Sequence, residues 1–79
     1  MSLFDSLSTE RKVVVLNQTK EGLISELVPM LLRNGIDPSL VNTASPEDAI
    51  DGLNLTDEVR IYKICEGLEI IAAKLAALV

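Results

Sequence analysis

From Thr56 to Val79 the chain contains no proline and a single glycine, Gly67, and its apolar residues recur at helical spacing. Ile61, Cys65, Leu68, Ala72, Leu75 and Val79 alternate at intervals of four and three, the seam of a coiled coil. Ile64, Ile71 and Leu78 repeat every seven residues beside that seam and widen it. A strand would alternate every second residue, so the pattern predicts one long helix over 57–79. Thr56 is placed to cap it, with Asp57 and Glu58 in the first turn, where the helix dipole favours acids. Such a helix reaches roughly 34 Å at ~1.5 Å per residue.

A second, weaker stripe runs through Val59, Ile70, Ala73 and Ala77 on the opposite side. A helix apolar on two faces needs two neighbours. One is the rest of its own chain; the other is expected to be a second copy. The expected oligomer interface is the main seam: Ile61, Ile64, Cys65, Leu68, Ile71, Ala72, Leu75 and Leu78. Arg60, Lys63 and Lys74 lie along one flank, and Glu58, Glu66 and Glu69 towards the other. Flanks of opposite sign suit self-association, setting orientation more than strength.

Size points the same way. Seventy-nine residues make one domain, 1–79, and a domain this small buries only about 60% of its unfolded surface. The usual staples are missing. Cys65 is the only cysteine, so no intrachain disulfide forms, and without histidine a lone thiol cannot build a structural zinc site. Yet 48% of the residues are hydrophobic, with Phe4 and Tyr62 the only aromatics. An aliphatic chain without staples implies oligomerisation as the remaining stabiliser.

The N-terminal arm, 8–34, also reads as helix. Leu23, Ile24, Leu27, Val28, Leu31 and Leu32 form a wide apolar face, with Gly35 as a stop and Ile36 placed to pack back on the last turn. Ser8 or Thr9 suits one helix start and Thr19 a second, leaving open whether the arm is one kinked helix or two elements. Pro29 removes the bond to the Ser25 carbonyl, so a bend at Ser25-Glu26 is expected. The Val13-Val14-Val15 run has strand propensity, but no second strand-like run exists to pair with it.

Between arm and helix lies a connector, 36–55. No basic residue occurs between Arg33 and Arg60, a stretch that holds Asp37, Glu47, Asp48, Asp51, Asp57 and Glu58. The net charge of −5 therefore resides there, and the rest of the chain is left with one net positive charge. These six acids are the candidate partner-binding patch, which repels nucleic-acid phosphate and suits a basic protein surface. Asp37-Pro38 and Ser45-Pro46 each set a capping residue before a proline at a first helical position, so the connector should be structured. Ala49 and Ile50 are placed to tuck a short helix onto the core before Gly52 ends it.

Enzyme chemistry finds little to use. Without histidine no Ser-His or Cys-His nucleophile pair can be built, and a Cys65 buried in the seam is unreactive. The glycines are isolated, so no phosphate-cradling loop exists. An EF-hand counted with Gly52 sixth places Ala49 third, where an oxygen ligand is required. Asp5-Ser6-Leu7 is similar to the attachment triplet of acyl carrier proteins, but there the serine opens the second helix and here no helix precedes it. That resemblance is set aside. Few bases and almost no aromatics argue against nucleic acid. No uncharged apolar run approaches the ~20 residues needed to span a bilayer. The start of the chain lacks a secretory pattern, so a cytoplasmic setting is expected, or a virion or host cytoplasm for a viral protein.

The sequence thus predicts an all-α fold, a small bundle of kinked arm, capped acidic connector and long C-terminal helix, completed by oligomerisation. The expected function is a non-enzymatic, self-assembling interaction module, a structural or adaptor part of a larger bacterial or viral assembly. The alternative is a small acidic inhibitor that occupies a basic site on a partner. Neither cofactor nor metal is implied.

Overall fold

The computed structural model describes residues 2–50 and 52–78. Two long helices dominate: α1, Thr9–Arg33, and α2, Leu55–Ala77. Short 3-10 turns at Pro38–Leu40 and Pro46–Asp48 shape the connector, and no strand occurs among the described residues.

Helix α1 begins at Ser8, whose hydroxyl oxygen accepts the Arg11 N–H at 3.2 Å. The Val13-Val14-Val15 run lies inside it, as expected of a β-branched run with no partner strand. Thr19 does not start a second helix. It sits in mid-helix, where the backbone N–H groups already have helical partners, and donates its hydroxyl to the Val15 carbonyl at 2.8 Å. The arm is therefore one helix, and it passes through Pro29 without interruption. Pro29 is exposed, whereas Leu27, Met30 and Leu31 around it are buried. Burying side chains of this kind contributes roughly 1.5–3 kcal/mol each, which offsets the ~3 kcal/mol cost of proline within a helix.

The end of α1 is a Schellman motif. The Ile36 N–H donates to the Leu31 carbonyl at 2.9 Å and the Gly35 N–H to the Leu32 carbonyl at 3.0 Å. Gly35 takes φ +76°, which glycine adopts without a Cβ penalty. The motif turns Ile36 back onto the core. At the other long helix the expected cap is corrected. Asn54, not Thr56, caps α2, its side-chain oxygen accepting the Asp57 N–H at 2.9 Å, and the helix starts at Leu55. Asparagine is an equally good cap, and its position three residues before Asp57 completes the first turn.

The helices run antiparallel, as their contacts show. Arg60 early in α2 meets Glu26 late in α1, while Lys74 near the end of α2 lies over the Phe4 ring, which Lys12 also approaches. Between these points the backbones come close, and a Cβ at Gly67 would stand 3.2 Å from Leu23 Cδ1. The connector closes the remaining side. Leu27, Met30 and Leu31 of α1, Ile50 of the connector, and Ile61, Ile64, Cys65 and Leu68 of α2 form one core. Ile50 is buried as expected, just beyond the 3-10 helix Pro46–Asp48.

Candidate interaction surfaces

Helix α2 presents two apolar faces, and its own chain takes one of them. Ile61, Ile64, Cys65, Leu68 and Ile71 are between 0% and 8% exposed. These are five of the eight residues expected at the interface with a second copy. In the folded chain Ile61, Ile64, Cys65 and Leu68 pack against α1 and Ile50, and Ile71 is buried as well, so these five offer little surface to a second copy. Of the remaining three, Ala72 is exposed and Leu75 and Leu78 are half-buried. The weaker stripe is the one left outside: Val59 is 52% and Ile70 51% exposed, with Ala73 and Ala77 in line with them.

The acidic patch divides into parts with different roles. Asp57 is not a free carboxylate. It accepts from Asn34 Nδ2 at 3.0 Å and from Arg33 Nη2 at 3.3 Å, and its side chain is only 17% exposed. The Asn34 amide, then the Arg33 guanidinium, hold its carboxyl below the usual range. It fastens the start of α2 to the end of α1, a structural duty beside its expected place in the patch. Asp37 is also used locally, accepting from the Ser39 hydroxyl and N–H, which lower its pKa in that order. Glu47 and Asp48 stand exposed in the connector, Glu58 is half-buried, and Asp51 lies outside the described residues.

Other charges are also paired within the chain. Arg60 grips Glu26, Lys63 lies 3.9 Å from Glu66, and Glu69 accepts the Thr43 hydroxyl at 2.6 Å. The long-range partners of Arg60, Asp57 and Glu69 lie 23 to 34 residues away, and no local spacing in the sequence marks them.

A cleft of about 290 Å³ opens where α1, α2 and the first connector turn diverge. Ile24, Val28, Val41, Ala72 and Leu75 line its apolar floor, with Lys20 and Glu69 at its edge. Sequence periodicity places Ile24, Val28, Ala72 and Leu75 on apolar helix faces but gives no sign that a gap remains beside them. Cys65 faces the core, and burial pushes its thiol pKa up, so it is held as the unreactive neutral form. Among the described residues no group of three or more His, Cys, Asp or Glu side chains is placed to hold a metal. Among the described residues no helix is long and apolar enough to cross a membrane.

The chain matches no family model, no curated protein and no solved structure, so its surfaces must be read from their own chemistry.

Proposed function

We propose that this chain is a non-enzymatic interaction module that self-assembles through the outer face of α2 and serves as a structural or adaptor component of a larger assembly. One observation carries the reading: Val59 and Ile70 stand half exposed, aligned with Ala73 and Ala77, on the face turned away from the core. Full burial of a branched side chain contributes roughly 1.5–3 kcal/mol, and Val59 and Ile70, half exposed, forgo about half of it, which a small domain with no intrachain disulfide has few other ways to gain. Ala73 and Ala77 are small enough to permit close helix approach once a mate is present. A bend of α1 at Ser25-Glu26, beneath Pro29, belongs to the same reading, since it curves the arm around α2 and leaves the outer face clear.

The partner is the chain itself, or a protein with a basic surface, rather than nucleic acid or membrane. The rival reading as an acidic inhibitor has less to work with, because Asp57 and Asp37 are engaged inside the chain. Salt separates the two. A complex held by charge weakens at moderate ionic strength, whereas one held by apolar helix faces persists. Sedimentation velocity at several micromolar concentrations, in low and high salt, tests the proposal. Concentration-dependent association that survives salt supports it, and a single monomeric species throughout refutes it.

A further inference from the structure

We propose that the second copy docks antiparallel on the outer face of α2, in the register that sets Val59 opposite Ile70 of its mate and Lys63 opposite Glu66. This rests on the self-assembly reading and gives it an orientation and a register. The outer row of α2 runs Val59, Lys63, Glu66, Ile70, Ala73, Ala77 at alternating intervals of four and three. It is a second coiled-coil seam, directly behind the one that fills the core. All six residues are exposed, and the Lys63 and Glu66 side chains are 68% and 65% exposed.

In a two-fold pair, when residue i meets j, j meets i. An axis crossing α2 between Ile64 and Cys65 therefore makes each of these contacts twice. The two large apolar residues of one copy cover those of the other. Each Lys63 meets a Glu66, so four charges of alternating sign surround the axis. Farther out Ala73 faces Thr56, and two small side chains allow the helices to approach.

The alternatives satisfy fewer groups. A parallel, in-register pair sets Lys63 against Lys63 and Glu66 against Glu66, like charges in the middle of the seam. Sliding the antiparallel pair one way by a seam step leaves Lys63 opposite Ala73 and Glu66 opposite Ile70. Sliding it the other way sets Lys63 on Val59. Each slip strands charge against an apolar side chain, which is costly once water is excluded. The charges on the flanks do not disturb this choice. Arg60 is held by Glu26 through two bonds of 2.7 Å, and Glu69 takes the Thr43 hydroxyl.

Two measurements on the full chain test the register. Ala76→Cys, an exposed site beside the row, accepts a spin label while the native Cys65, 1% exposed, does not. In the antiparallel register the two labels lie about 35 Å apart along the helices, at ~1.5 Å per residue. A parallel pair brings them close to the interhelical spacing of about 8–10 Å. The second measurement is a charge exchange, with circular dichroism as the check that each variant keeps its helicity. Lys63→Glu should weaken association about tenfold or more through like-charge contact, and adding Glu66→Lys should restore it. In a parallel pair like already faces like, so the first change should weaken association less, and the label distance decides between the two orientations. A dimer with short label distances, or Lys63→Glu without effect, overturns the register while leaving self-assembly standing. A chain that stays monomeric overturns both.

Discussion

The Arg60 guanidinium binds the Glu26 carboxylate with two hydrogen bonds of 2.7 Å, Nε to Oε1 and Nη2 to Oε2. With Asp57 on Arg33 and Asn34, it fixes how far α2 slides along α1. Both side chains of the Arg60–Glu26 pair remain nearly half exposed, so the pair sets helix alignment more than it adds stability.

Acid should loosen this alignment. The Arg60 hydrogen bonds hold the Glu26 carboxyl below its usual range, and the Asn34 amide does the same for Asp57. A carboxylate whose folded pKa is depressed contributes stability that is present above its unfolded pKa and lost as pH falls through the folded one. The urea midpoint should thus hold from neutral pH down to about 4–5 and then decline. In a Glu26→Gln/Asp57→Asn variant the neutral-pH midpoint drops and the acid decline becomes shallower. An unchanged acid decline in that variant would show that other carboxylates govern it.

Leu68→Asp and Ile70→Asp, two residues apart on one helix, should behave differently. Leu68 is 8% exposed and packs in the core, so a carboxylate there unfolds the chain, at a cost of about 3–5 kcal/mol. Ile70 is half exposed, so the same change should leave helicity intact and abolish association. Circular dichroism and sedimentation on both variants check this. Loss of fold in Ile70→Asp would mean that the outer face supports the monomer.

Removing Pro29 should stabilise the monomer. Pro29→Ala restores an N–H for the Ser25 carbonyl and relieves the ring clash, worth up to about 3 kcal/mol within a helix, less the entropy that proline removes from the unfolded chain. A higher urea midpoint and greater helicity are expected. A lower midpoint would show that the proline ring makes contacts the fold depends on.

Much of this fold is legible in the sequence because helical periodicity and end signals are local. The Gly35 stop, the return of Ile36 and the burial of Ile61 and Leu68 all follow from spacing within one helical turn. What spacing does not carry is which of two apolar faces meets which neighbour. The coiled-coil spacing of the main seam suits a second copy, yet a seam facing its own chain has the same pattern. The duties of Asp57 and Arg60 were hidden for a related reason. Their partners are set by how the hairpin closes, which no single helix encodes.

The connector acids should be dispensable for folding. Glu47 and Asp48 are exposed and make no ion pair among the described residues. Replacing them and Asp51 by Gln and Asn should leave the urea midpoint and the association constant nearly unchanged. A large drop in melting temperature would make these acids structural.

The central claim is that the outer face of α2 is an interface, and sedimentation equilibrium of the parent chain beside Ile70→Asp tests it most directly. The parent should self-associate reversibly at micromolar concentration, and the variant should be a folded monomer. A parent that remains monomeric, or a variant that associates as the parent does, would contradict it.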